Sequence, residues 1–113
     1  MKTIDTLSAR ERAALGDLQQ GVSIVLPGVF TRMTLFGSRA RGDAEPDSDM
    51  DVLLELDLEW LDLPTKRRIR RVAGELSLKH DLVISLVLVD RAQARERGDY
   101  SIFANIRDEG IPL

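Results

Sequence analysis

The chain has 113 residues, a formal net charge of −3 and no cysteine. With 43% hydrophobic and 31% charged residues, it predicts one folded domain over residues 1–113 rather than a disordered polymer. The composition excludes disulfides and thiolate metal sites, and argues against a membrane helix or a general nucleic-acid binder. Because no secretory signal follows Met1, we expect a cytoplasmic protein.

The first half of the chain predicts a helix, a strand and a short helix. Ser8 and Glu11 form a capping-box pattern that starts a helix over residues 9–20. Residues 29–36 alternate in character and are rich in strand formers, so they predict a strand that ends at Gly37. Residues 39–41 then form a short helical turn before the next glycine.

The second half predicts two further strands and two helical regions. A strand covers residues 50–56. Asp62 precedes Leu63–Pro64, a good helix start with an early proline, and that helix reaches about residue 79. Residues 81–89 are almost continuously apolar, which predicts a central strand that is covered on both faces. A final helical region begins at Asp90, is capped again at Asp99, and stops at a glycine near the end. This order of elements predicts an α/β fold.

Two carboxylates, Asp49 and Asp51, stand at the start of the second predicted strand. Residues i and i+2 of a strand face the same way, about 6.6 Å apart. Paired cations in phosphoryl-transfer sites lie about 3.5–4 Å apart, so this carboxylate pair can bridge them. Magnesium prefers such oxygen ligands and completes its shell with water or phosphate. The pair therefore predicts a magnesium site.

A glycine–serine turn, Gly37–Ser38, stands between the first strand and the short helix, with ten residues separating Ser38 from Asp49. Glycine permits a backbone angle or a close ligand approach that a Cβ would prevent. Free N–H groups at a helix start favour anions. Arg39 and Arg41 add planar cationic donors, and either one could reach a phosphate.

A calcium loop is the nearest rival for this segment, because residues 47–51 read Asp-Ser-Asp-Met-Asp. The rival fails at two positions. Val52 stands where a calcium loop needs its turn glycine, and Leu58 stands where it needs its bidentate glutamate.

The combined Gly37–Ser38 and Asp49–Asp51 pattern resembles the nucleotidyltransferase superfamily that includes DNA polymerase β. More narrowly, the chain is similar to the minimal nucleotidyltransferases (MNT proteins) that pair with HEPN proteins. The resemblance implies a small mixed three-stranded sheet flanked by about four helices. It also implies a third carboxylate on a later strand, for which Asp81 is the match. Arg41 and Ser48 fit the flanks of the family signature.

For function, the resemblance implies a transferase that uses ATP and two Mg²⁺ ions to move AMP onto an acceptor hydroxyl. Asp49, Asp51 and Asp81 are then the catalytic metal ligands, and Gly37, Ser38, Arg39, Arg41 and Ser48 bind the nucleotide. The resemblance implies a tyrosine of a HEPN toxin as acceptor, so the chain acts as an antitoxin.

Two other functions stay open at this point. The chain could be a binding module that occludes a helical partner without catalysis. Alternatively, it could modify a small molecule in a pocket formed between two copies, since bare sheet edges favour self-association. The basic run over residues 66–71 is either a polyanion patch or one solvated helix face.

Overall fold

A computed structural model of the chain describes residues 4–96 and 101–113. Helices and strands are interspersed within these ranges, which confirms the predicted α/β class. In chain order they are α1 (Ala9–Val25), β1 (Arg32–Phe36), α2 (Gly37–Arg41), β2 (Met50–Leu56), α3 (Leu63–His80), β3 (Ile84–Asp90), α4 (Arg91–Glu96), α5 (Ser101–Glu109) and β4 (Ile111–Pro112). Among the described residues, no helix combines the length and the apolar character that crossing a membrane requires.

The four strands form one mixed sheet in the order β3-β2-β1-β4. β1 is antiparallel to both β2 and β4, whereas β2 and β3 are parallel. The predicted mixed sheet is therefore confirmed, with four strands in place of three. The extra strand, β4, has only two residues, and so short a segment carries no periodic signal that a sequence could reveal.

The two faces of the sheet have different surroundings. One face packs against α1 and α3 and forms the main core, in which Leu15, Leu18, Leu35, Leu54 and Ile69 are fully buried. The opposite face carries every second residue of β1 and β2: Arg32, Thr34, Phe36, Asp51, Leu53 and Glu55. α5 contacts β1, and α4 contacts β2 and β3. Their buried Ala94 and Ile106 lie outside the main core.

The predicted start and position of the third strand are wrong. β3 begins at Ile84 rather than residue 81, and among the described residues only β2 pairs with it. Its outer edge is capped by α3. The Ile84 N–H donates to Ser77 Oγ at 3.0 Å, and Arg70 donates to the Leu86 carbonyl at 3.2 Å. These contacts occupy edge groups that another strand would otherwise use.

The helix ends follow local sequence signals. Ser8 and Glu11 form the predicted capping box, with Ser8 Oγ accepting from the Glu11 N–H at 3.1 Å and the Glu11 carboxylate accepting from the Ser8 N–H at 2.8 Å. α1 runs on to Val25, beyond the predicted end at residue 20, because buried Val22 continues its apolar side. α4 begins where Asp90 accepts from the Ala92 N–H. The predicted cap at Asp99 lies outside the described residues.

α1 and α3 approach each other closely where Gly21 faces Val72. A Cβ at Gly21 would lie 2.5 Å from Val72 Cγ1, whereas a Cβ at Gly16, in the same helix, would meet nothing within 4 Å. The packing of α1 against α3 therefore favours glycine at position 21, whereas no packing contact favours it at position 16.

We predict opposite effects for alanine at these two glycines. Gly16→Ala should raise the free energy of unfolding by about 0.5–1 kcal/mol through helix propensity. Gly21→Ala should lower it by about 1–2 kcal/mol through overpacking. Chemical denaturation measures both changes. A Val72→Ala background should remove the penalty of Gly21→Ala, and a penalty that persists there would contradict the packing explanation.

Candidate active site

The centre of the candidate site is the contact between Gly37 and Asp51. β1 and β2 pair so that Phe36 lies opposite Asp51, which brings the next residue, Gly37, beside the Asp51 side chain. Gly37 has φ of +75°, in the left-handed region that favours glycine. A Cβ at Gly37 would run into the Asp51 carboxylate, with its Cγ 3.3 Å away. Both the backbone angle and the available space therefore require glycine.

Asp49 and Asp51 form a carboxylate pair at the start of β2. Asp49 is exposed just before the strand, and Asp51 is half-buried within it. Burial raises the pKa of Asp51, the charge of Asp49 raises it further, and the Arg41 guanidinium lowers it. Two anions held together in a partly desolvated place are unfavourable alone and favourable around a cation.

The structure does not bring Asp81 together with this pair. Asp81 ends α3 in a left-handed conformation with φ 50° and ψ 50°, and its carbonyl accepts a hydrogen bond from Arg10 of α1 at 2.9 Å. It therefore lies in the helical layer, before β3 begins. The β3 residue opposite Asp51 is Ser85. Within residues 4–96 and 101–113, no three histidine, aspartate or glutamate side chains are grouped to hold one metal ion.

Arg39 clamps the loop between α2 and β2. Its guanidinium donates to the Ser48 carbonyl at 2.7 and 2.9 Å and to the Pro46 carbonyl at 3.2 Å. It also pairs with Glu11 at 3.1 Å, where both side chains are nearly buried. Ser48 Oγ accepts from the Glu45 N–H at 2.9 Å, which tightens the same loop. Arg39 and Ser48 thus hold in place the segment that delivers Asp49.

Arg41 has a different environment from Arg39. Its side chain is 43% exposed and makes two longer ion pairs, with Asp43 at 3.3 Å and with Glu109 of α5 at 3.5 Å. It is also the cation that lowers the pKa of Asp51. Ser38 is half-buried, and its carbonyl accepts from the N–H groups that end α2. Arg41 therefore lies near the carboxylate pair with a guanidinium that is free to exchange partners.

The residues present fit a hard divalent cation. Magnesium is commonly bound through one or two carboxylates, with water and substrate phosphates completing its shell. Asp49 and Asp51 match that donor set, and the Gly37 turn lies directly against the Asp51 carboxylate. The donor set of the described residues is thus a pair of carboxylates rather than the triad expected from the sequence.

Sequence reasoning missed two residues near the carboxylate pair. Ser85 faces Asp51 only because β2 and β3 are parallel in this register, which no local pattern reveals. Glu109 reaches Arg41 only because α5 folds back onto α2. The sequence does indicate that the polar residues 32, 34 and 55 lie on one face of the sheet, because they alternate with buried residues along β1 and β2.

We predict that the charge of Asp51 reduces the stability of the metal-free protein. Its pKa is raised in the folded state, so the unfolding free energy falls as pH rises from about 4, the ordinary aspartate value, to above the folded-state pKa. Asp51→Asn should therefore be more stable than the parent at pH 7 in metal-free buffer. This difference should shrink as pH approaches about 4.

Thermal unfolding with and without Mg²⁺ checks this prediction. Added Mg²⁺ should raise the midpoint of the parent and leave that of Asp51→Asn unchanged. Asp47→Asn, an exposed loop carboxylate, is the matched control and should change the free energy of unfolding by no more than about 0.5 kcal/mol. Asp51→Asn being less stable than the parent at pH 7 without metal would contradict the prediction.

Comparisons with known proteins agree with this geometry. Residues 27–101 match the family model described as "Nucleotidyltransferase domain", which is more than half of the chain. "Putative protein adenylyltransferase MJ0141" of Methanocaldococcus jannaschii is 39% identical over 72 residues, covering 64% of this chain and 72% of the relative. "Putative protein adenylyltransferase MJ0604" of the same organism is 28% identical over 106 residues, covering 91% and 97%. The chain therefore belongs to the nucleotidyltransferase domain family and is a nucleotidyltransferase.

Proposed function

We propose that this protein transfers AMP from ATP to a hydroxyl group of another protein in a magnesium-dependent reaction. The observation that carries the proposal is the contact between Gly37 and Asp51. It puts a glycine turn directly against a repelling carboxylate pair. Without a Cβ, the backbone of such a turn lets a ligand approach closely, and the carboxylate pair has the ligands for the cation that accompanies phosphate oxygens.

Each residue then has a defined role. Asp49 and Asp51 would hold magnesium, and Gly37 and Ser38 would lie against the β- and γ-phosphates. Arg41 would pair with a phosphate, because it is exposed and its present ion pairs are long. Arg39 and Ser48 would act indirectly by fixing the loop that carries Asp49. Asp81, at the C-terminal end of α3, would lie outside this metal site.

The reaction would be a single displacement at the α-phosphorus. The acceptor oxygen forms a bond to that phosphorus, the bond from phosphorus to the bridging oxygen breaks, and pyrophosphate leaves. The proton of the acceptor hydroxyl is released to solvent. Bound magnesium supplies positive charge that stabilises the entering and leaving oxygens. The chain contributes the fixed geometry of Asp49, Asp51 and Gly37, and the positive charge of Arg41.

Two observations support a protein acceptor. The names of both relatives describe protein adenylyltransferases, and the second relative aligns with 91% of this chain. Following the family resemblance, we propose a tyrosine of a HEPN toxin as the acceptor, two magnesium ions, an antitoxin role and a cytoplasmic location. A second copy of the chain is compatible with this function and is not needed for it.

The test is a transfer assay with ATP labelled at the α-phosphate, Mg²⁺ and a HEPN protein of the source organism as the acceptor partner. We expect the partner to gain label and the mass of one or more AMP groups. Asp49→Asn and Asp51→Asn should each reduce the rate at least about 100-fold, because metal charge stabilisation is worth several kcal/mol. Asp47→Asn serves as the control and should keep the parent rate.

The two alternative functions predict different results. Label that appears on a small molecule instead of the partner would indicate a small-molecule transferase. Protection of cells from the partner by the Asp49→Asn/Asp51→Asn double variant, at equal abundance, would indicate neutralisation by binding alone. An unchanged partner mass with active parent protein would contradict protein adenylylation.

A further inference from the structure

A groove on the sheet face that carries Asp51 has no role in the site described so far. It encloses about 390 Å³, which is within the range of small-molecule pockets. Its floor is formed by Thr34 of β1 and by Leu53 and Glu55 of β2, and its wall includes Phe103 and Ile106 of α5. The floor residues continue the same-face row of Asp51, so the groove begins one such residue away from the carboxylate.

The far end of the groove is aromatic and cationic. Phe30 and Arg91 both line it, with the guanidinium carbon of Arg91 4.6 Å from the Phe30 ring centroid. Arg91 is held there by an ion pair with Asp57 at 3.0 Å. Phe30 is 58% exposed, so a large part of its ring is open to a ligand. Flat groups stack on such rings and on guanidinium planes.

The line of attack at phosphorus in the proposed reaction indicates which part of the substrates could lie in this groove. In an in-line displacement the attacking and leaving oxygens lie on opposite sides of the phosphorus. If pyrophosphate leaves beside Gly37, at the end of β1, the acceptor enters from the β3 side, over the small Ser85 that faces Asp51. The nucleoside then leaves the phosphorus at a right angle to that line, and one such direction runs parallel to the strands.

Only one of the two directions along the strands leads onto the protein. Towards Asp49 the sheet ends, whereas in the other direction β2 continues under the groove. Leu53 and Glu55 lie about 7 and 13 Å along β2 from Asp51, at 3.3 Å per residue. A nucleoside that follows this direction from phosphorus at Asp51 would pass over Leu53 and bring its base to Glu55 and Phe30.

We propose that this groove is the nucleoside subsite of the enzyme, an inference that rests on the proposed nucleotide transfer. Leu53 and Ile106 contact the sugar and base through their apolar side chains, and Phe30 stacks on the base. The Glu55 carboxylate, of which 14% is exposed, pairs with Arg32 at 3.9 Å, and a carboxylate accepts hydrogen bonds. It therefore favours a base with an amino group at its edge, as adenine has.

The experiment compares binding of ATP and of inorganic tripolyphosphate in Mg²⁺ by calorimetry. Tripolyphosphate shares the phosphates of ATP and lacks the nucleoside. Phe30→Ala should weaken ATP binding about 5- to 100-fold, the usual range for one stacked base, and leave tripolyphosphate binding unchanged. Arg41→Ala should weaken both ligands. Leu78→Ala, which removes an exposed apolar side chain of α3 that does not line the groove, is the control and should change neither.

Each other outcome overturns the inference in a distinct way. Equal weakening of both ligands by Phe30→Ala, or no change in either, would show that the groove does not hold the nucleoside. Unchanged ATP binding with a raised KM for the acceptor protein would assign the groove to the acceptor. Parent protein that binds neither ATP nor tripolyphosphate would overturn the proposed function itself, and the groove assignment with it.

Discussion

The close approach of Gly37 to Asp51 is the constraint on which the rest of the site depends. A β1–β2 register that pairs Phe36 with Asp51 forces the chain to turn against a carboxylate. Only a residue without a Cβ fits there, and the same residue must adopt a left-handed angle. In the proposed function, the nucleotide and the metal would therefore both be held at one contact between neighbouring strands rather than by two separate motifs.

The scaffold serves this contact by fixing the loop that precedes β2. Arg39 connects that loop to Glu11, and Ser8 in turn caps α1 through the same glutamate. Although partial burial would raise the pKa of Glu11, hydrogen bonds from Ser8 and Arg39 lower it, so its charge supports the clamp near neutral pH. The two arginines of α2 thus have separate functions: Arg39 holds the loop, and Arg41 remains exchangeable beside Asp51.

Local signals in the sequence predicted most of the helices and strands. The features that they did not predict depend on contacts between distant parts of the chain. The capping box, the bounds of β2 and the start of α3 after Asp62 were predictable because their causes lie within a few residues. The prediction that the third strand begins at Asp81 was wrong, because an apolar run does not show where a helix ends and a strand begins. The edge position of β3, the two-residue β4 and the groove depend on contacts between distant residues.

The most direct test of the Gly37–Asp51 contact compares Gly37→Ala with Gly28→Ala. Both glycines have positive φ, but a Cβ at Gly28 would meet nothing within 4 Å. Both substitutions should cost about 1–2 kcal/mol of stability through backbone strain. Calorimetric titration with Mg-ATP should show binding lost in Gly37→Ala and kept in Gly28→Ala. Parent-like Mg-ATP affinity in folded Gly37→Ala would contradict the account.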